Sequence, residues 1–199
     1  MSELNKVAMF TNEYPPNVYG GAGVHVEYLS RELARLVPVE VRCFGDQDIA
    51  QPNLRVKGYG SWSAAKQNTD PRFGGALDAF YRSLSMAKDT LDAGVVHSHT
   101  WYTDMAGFLA KKLWGIPAVL TIHSLEPLRP WKVEQLGNGY HLSSWMERTG
   151  IEDADAVIAV SQETRNDVLR FSRSRPRRCM SFTTGSTCSS IARTRRPMR

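Results

Sequence analysis

Apolar residues along the chain fall into short unbroken runs, separated by longer stretches in which they recur every three or four positions. Val7 to Phe10 is a run of the kind seen in a strand buried on both faces. Val39 to Phe44, Leu54 to Tyr59, Val95 to His97, Ala118 to His123 and Ala156 to Val160 repeat it. Between them, Val26, Leu29, Leu33 and Leu36 form one stripe of a helix expected from about Ala22 to Leu36, with Glu27, Arg31 and Arg35 off the stripe. Ala76, Leu77, Phe80, Leu84, Ala87 and Leu91 mark a second helix stopped by Gly94, and Met105, Phe108, Leu109 and Leu113 a third ending at Gly115. The Trp-rich stretch from Arg129 to Gly150 is predicted helical in its second half, and Ser161 is expected to cap a last helix through Val168, Leu169 and Phe171. Residues 61–70 are polar and read as a surface loop. Strands separated by helical patterns imply βαβ units, hence an α/β fold with a parallel sheet, helices on both faces and right-handed crossovers.

A length of 199 residues suits one domain with a real core, or one domain and a tail. The net charge of +5 suggests a nucleic-acid partner until it is located: Ser172 to Arg199 holds eight Arg and no acidic residue, which leaves 17 basic against 20 acidic residues in the body. The expected division is therefore a domain over residues 1–171 and a basic, disordered tail over 172–199. Only Phe182 offers that tail an aromatic stacking surface, so no nucleic acid is expected as a partner. No apolar run is long enough to span a bilayer, and the first residues lack a signal-peptide pattern, so a cytoplasmic chain with no membrane partner is expected. The three Cys show neither a disulfide framework nor metal-ligand spacing, and Cys43 reads as a small core residue.

The first strand runs into a Pro15-Pro16 loop, a Gly20-Gly21 pair and then a helix. Glycine lets the backbone approach a ligand closely just where the free N–H groups of a helix start favour an anion. In an open parallel sheet, ligands bind beyond the carboxyl ends of the strands. Candidate positions are therefore Glu13, the run His97-Ser-His99-Thr-Trp101, the run His123-Ser-Leu-Glu126, and Ser161. Taken singly, a strand-end His is more often a structural hydrogen-bonding group than a ligand. A zinc site from His97, His99 and His123 is disfavoured, because alternate residues share a face only while the strand stays extended, and neither metal nor cofactor is expected. Gly21-x-Gly23 lacks the third Gly of a dinucleotide fingerprint, since Val26 stands there.

Asn12-Glu13-Tyr14-Pro15-Pro16, Gly20-Gly21-Ala22-Gly23-Val24-His25, His97-x-His99-x-Trp101 and Leu120-Thr-Ile-His123-Ser-Leu-Glu126 together resemble the N-terminal half of a retaining, two-Rossmann-domain (GT-B) glycosyltransferase, in the glycogen synthase and α-maltose-1-phosphate synthase group of actinobacteria. The resemblance covers residues 5 to 171. It implies a Rossmann-like sheet, Gly20 and Gly21 facing the donor's diphosphate, His123 as the catalytic residue beside the transferred glucose, and Glu13, His99 and Trp101 on the acceptor side of the cleft. It further implies ADP-glucose or UDP-glucose as donor, and an α-glucan or glucose 1-phosphate as acceptor. Val18 and Tyr19 stand where many members carry Lys-Thr. Members place the cations that grip the diphosphate in a second domain, so this polypeptide is expected to be truncated and inactive alone. Read one frame over, the codons of Ser181 to Thr187 permit Val-Tyr-Asn-Gly-Ile-Asp, which fits a frame change near Phe171. The alternative expectation is a Rossmann-like domain that binds a sugar or phosphate without catalysis.

Overall fold

The computed structural model describes residues 5–63, 67, 69–129, 131–172 and 179–181. Its strands are β1 (Val7–Thr11), β2 (Val39–Phe44), β3 (Asp48–Gln51), β4 (Leu54–Tyr59), β5 (Val95–His99), β6 (Ala118–Ile122), β7 (Ala156–Ala159) and β8 (Cys179–Ser181). The helices are α1 (Gly21–Ala34), α2 (Pro71–Lys88), α3 (Trp101–Trp114), α4 (Lys132–Leu136), α5 (Gly139–Asp153) and α6 (Gln162–Phe171). One sheet runs in the order β3, β4, β2, β1, β5, β6, β7, β8, and only the β3–β4 pair is antiparallel. All six expected strands and the α/β layering are present, so the chain is a Rossmann-like mixed sheet flanked by helices.

The sheet is organised on β1. All five of its residues are buried, and its ladder pairs in parallel with β2 on one side and β5 on the other. Its alternate side chains feed two cores. Ala8 and Phe10 join Val96, Met86, Ala106 and Ala110, whereas Val7 and Met9 join Val26, Val41 and Val56. The first set packs under α2 and α3, the second under α1, which is why helices are needed on both faces. Buried Arg42 of β2 ties the end of α2 to the sheet. It donates to the carbonyls of Met86, Asp89 (3.1 Å) and Thr90 (2.8 Å), while its Nε pairs with Glu40 at 2.8 Å. Three carbonyls around a helix end that would otherwise be orphaned thereby gain a charged donor.

Element ends depart from the apolar pattern for local reasons. α2 starts at Pro71, five residues before its apolar stripe, because Asp70 accepts from the Arg72 N–H at 2.9 Å and Pro71 occupies the first helical position. α1 closes early through Leu36 N–H to Leu33 carbonyl at 2.8 Å, which leaves Leu36, expected on the buried stripe, 79% exposed. α3 ends at Gly115 in the left-handed region, φ 68°, as its glycine stop implies. Part of the polar loop at 61–70 lies outside the described residues.

Two strands were not anticipated. β3 reads Asp-Ile-Ala-Gln, too polar for a buried run, and exists because a tight turn through Asn53, φ 59°, folds it back on β4. β8 falls inside the stretch expected to be a disordered tail. Its three residues pair in parallel with β7, bury Cys179 in the core, and are held by Arg165 Nε to the Cys179 carbonyl at 2.9 Å. The remainder of that stretch, 173–178 and 182–199, lies outside the described residues.

Met146 of α5 is fully buried against Ala79, Trp101 and Met105, where α2, α3 and α5 meet. Met146→Ala is expected to lower unfolding stability by about 2–5 kcal/mol, read from urea denaturation, whereas exposed Leu36→Ala should change it by less than about 0.5 kcal/mol.

Candidate active site

The strand order reverses between β1 and β5, because the chain builds outward from β1 through β2 to β4 and then returns to the other side of β1. A crevice opens at the carboxyl end of such a switch point, where neighbouring connections leave in opposite directions. Here a cavity of about 460 Å³ is lined by Asn12 and Glu13 after β1, Gly20 to Ala22 at the start of α1, Thr100 to Tyr102 after β5, and His123, Ser124 and Arg129 after β6. A smaller cavity of about 260 Å³ shares His123, Ser124 and Arg129.

The glycine loop is held from below. Tyr14 is buried and its hydroxyl lies 2.9 Å from Ser30 Oγ of α1, while Gln47 Nε2 donates to the Tyr14 carbonyl at 3.0 Å. Glu13 Oε2 accepts from the Tyr19 and Gly20 N–H groups, both at 2.9 Å, so a carboxylate already occupies the first two amides of the loop. The three glycines divide by role. A Cβ at Gly23 would come within 2.8 Å of Glu13 Cβ, so Gly23 is required for packing, whereas Gly20 and Gly21 face open space within the cavity. The N–H groups of the first α1 turn thus stay available beside Gly21.

Thr100 links β5 to α3 at φ 66° and ψ 156°, a region that β-branched residues rarely enter, and its hydroxyl donates to Asn12 Oδ1 at 2.9 Å. That strain, about 1–3 kcal/mol, turns the chain sharply enough to set Trp101 and Tyr102 on the cavity wall.

Four histidines cluster at the wall, His123 lining it and the others packed against or near its ring. His97 Nε2 lies 2.8 Å from Thr121 Oγ1, and its ring is 4.2 Å from that of His99. His99 is fully buried, with Nδ1 3.4 Å from His123 Nε2 and no hydrogen-bond partner for Nε2 among the described residues. His25, one turn into α1, packs its ring 5.2 Å from that of His123. Burial holds His97 and His123 down to about 4 and His99 well below its ordinary value, with the neighbouring imidazoles adding to the effect at His97 and His99. All three are therefore neutral at pH 7. Nitrogens of His25, His99 and His123 lie within 4.8 Å of one another, so among the described residues the histidines close enough to share a metal are these three and not the disfavoured set with His97. A tetrahedral zinc would draw them to about 3.3 Å apart, given zinc–nitrogen bonds of about 2.0 Å.

Deeper still, Asp104 of α3 and Glu147 of α5 are buried carboxyls. Burial pushes Glu147 up to about 8 and Asp104 well above the usual carboxylate range. Glu147 Oε2 accepts from the Glu126 N–H at 2.9 Å and fixes the turn Glu126–Leu128 that carries Arg129.

Of the residues singled out from the sequence, Glu13, Gly20, Gly21, Trp101 and His123 share the larger cavity. His99 does not line it and instead backs His123. Ser161 caps α6, accepting from the Thr164 N–H at 3.0 Å. His25 and Arg129 were missed. His25 is found from its spacing, four residues after Gly21 and so on the same face of α1. Arg129 lies six residues past His123 in an irregular turn, where no period announces it.

Residues 19–180 match the family described as Glycosyltransferase Family 4. The chain belongs to that family. This family 4 chain is 52% identical over 169 residues to the α-maltose-1-phosphate synthase of Mycolicibacterium smegmatis, covering 83% of the chain and 40% of the relative. It is 28% identical to the glycogen synthase of Mycobacterium tuberculosis, over 82% of the chain and 44% of the relative. It thus spans about two fifths of the length of these curated relatives. Among solved structures, sucrose-phosphate synthase from Thermosynechococcus elongatus superposes with a TM-score of 0.66 at 16% identity, over 92% of this chain and 48% of that one, and so shares the fold.

Two outcomes test the site's geometry. Gly23→Ala should release Glu13 from the loop amides and destabilise the fold by about 1–3 kcal/mol in denaturant melts, whereas Gly20→Ala, in extended backbone beside open space, should be tolerated. The second is a pH dependence. A histidine whose pKa falls on folding carries fewer protons in the folded than in the unfolded chain, so its stability contribution is lost as pH drops from about 6.5 through about 4. Glu147 has the opposite sign, losing its contribution as pH rises from about 4.5 through about 8. Imidazole NMR separates the two: His97 and His123 should remain neutral at pH 5.5, and titration of both near 6.5 would refute the buried cluster.

Proposed function

We propose that this chain is the acceptor-side half of a retaining glucosyltransferase that moves glucose from ADP-glucose or UDP-glucose to an α-glucan or to glucose 1-phosphate. The observation that carries the reading is a single cavity in which open backbone at Gly20 and Gly21 faces the strand-end imidazole of His123. The diphosphate would lie against the glycine pair and the first amides of α1, where close approach and helix polarity favour an anion. His123 is neutral at pH 7 and so can hydrogen-bond a sugar hydroxyl without adding positive charge beside the anomeric carbon, where positive charge develops in the transition state. His99 contacts it from behind at 3.4 Å and keeps its ring in place. Trp101 and Glu13 would receive the acceptor, the indole against a sugar face and the carboxylate at the mouth of the cleft.

The similarity to α-maltose-1-phosphate synthase, a protein named for making a sugar phosphate, supports transfer onto a sugar acceptor. Among the described residues, no helix is long and apolar enough to cross a membrane.

The test is a chimera in which residues 5–171 replace the matching part of the M. smegmatis relative, to which the chain is 52% identical. The chimera should release ADP from ADP-glucose when given glucose 1-phosphate or glycogen. His123→Ala should lower its turnover by about two to three orders of magnitude with little change in KM for the donor. Gly21→Val should mainly raise that KM, because a side chain there blocks the diphosphate from the backbone. A folded chimera with near-normal turnover after His123→Ala would leave His123 a structural strand-end histidine.

A further inference from the structure

We infer that His25, His99 and His123 form a binding site for one divalent transition-metal ion of the zinc type, and that the ion, once bound, inhibits the cavity it borders. The binding stands on geometry alone, whereas the inhibition rests on the transferase reading above. The three side chains come from α1, the last residue of β5 and the residue after β6. One nitrogen from each lies within 4.8 Å of the other two.

The buried member of the set lacks a partner. His99 is fully buried, its Nε2 has no hydrogen-bond partner among the described residues, and its Nδ1 meets His123 Nε2 at 3.4 Å. That contact is longer than the roughly 2.7–3.2 Å of an ordinary hydrogen bond from nitrogen. The ring is therefore without a normal bond at either nitrogen, a condition that buried polar groups seldom tolerate. A spacing of 3.4 Å is, however, close to the about 3.3 Å that separates two nitrogens on one tetrahedral zinc. Closing the triangle falls to His25, whose side chain is exposed on α1 and so both adjusts its rotamer and opens the site to ions from solvent. His97 stays outside the set although its ring is 4.2 Å from that of His99, because its Nε2 is engaged with Thr121 Oγ1 at 2.8 Å.

The donor set selects the ion. Imidazole nitrogens suit zinc, copper and nickel, whereas magnesium and calcium take oxygen ligands. The carboxylate of the cavity, Glu13, has Oε2 seated on the Tyr19 and Gly20 N–H groups and is not part of the cluster. Three protein ligands leave a tetrahedral ion one position for water. Because His123 lines the cavity, the ion would bring two positive charges beside the place where the transferase reading has positive charge develop on the sugar. The ligated nitrogen of His123 would also be lost to a sugar hydroxyl.

Calorimetric titration of ZnCl2 into the untagged chain tests the binding, in a Cys188→Ser background that removes a competing thiolate. One equivalent should bind. His25→Ala should weaken it at least about tenfold, since losing even an outer partner of a metal ligand costs about 10–100-fold. His141→Ala, on the exposed face of α5, should bind as the parent does. Both changes are at exposed positions, and each variant is checked for an unchanged melting curve. MgCl2 should not bind, and bound Co2+ should show the absorption of a tetrahedral nitrogen site without a thiolate charge-transfer band. Absence of stoichiometric zinc binding, equal affinity of the parent and His25→Ala, or an equal loss on His141→Ala overturns the site.

The chimera described above tests the inhibition. Zinc should lower its turnover and a chelator restore it, and the His25→Ala chimera should need at least about tenfold more zinc for half inhibition. Equal zinc sensitivity of the two chimeras overturns the inhibition and leaves the site. A folded chimera inactive without zinc overturns the transferase reading and the inhibition with it, while the binding result stands.

Discussion

The parallel pairing of β1 with both β2 and β5 is the constraint on which the rest depends. A strand buried on both faces must send its side chains alternately into two cores, and each core needs its own helical cover. Because β1 is laid between strands built before and after the reversal, the loop leaving it and the loop leaving β5 diverge. The space between them is the cavity. Asn12, Glu13 and the glycine pair come from the first loop, and Thr100 with the two aromatics from the second, so the site is a consequence of strand order.

Around that cavity the protein buries titratable groups in their uncharged forms. Desolvation keeps the histidines neutral and the Asp104 and Glu147 carboxyls protonated, with neighbouring like charges pushing in the same direction at His97, His99 and Asp104. Ion pairs are buried where partners are close. Arg42 is buried with Glu40 and three carbonyls, and Glu126 with Lys132. The cavity wall is consequently weakly charged apart from Glu13 and Arg129, and a charged ligand would be oriented by these two. Glu13 seated on the amides of Tyr19 and Gly20 leaves the open face of the loop to begin one residue later, at Gly21.

The sequence by itself determined the six main strands, the α/β class and the region of the site. Unbroken apolar runs such as Val7 to Phe10 specify burial on both faces whatever surrounds them, and glycines, prolines and strand-end polar residues mark where a backbone can meet a ligand. The family resemblance rested on those same punctuating residues, and the match to residues 19–180 agrees with it. Tertiary structure decided what short or polar segments do. β3 and β8 carry little apolar signal and exist because a neighbouring strand offers them a ladder. His25 and His99 lie 74 positions apart in sequence, and only the packing of α1 over the end of β5 brings their rings to 5.6 Å. Arg129 becomes a wall of the cavity only because a buried carboxyl from α5 pins its turn. Local pattern records which residues must leave water. Which of them then meet depends on strand order and helix packing, which no window of the sequence contains.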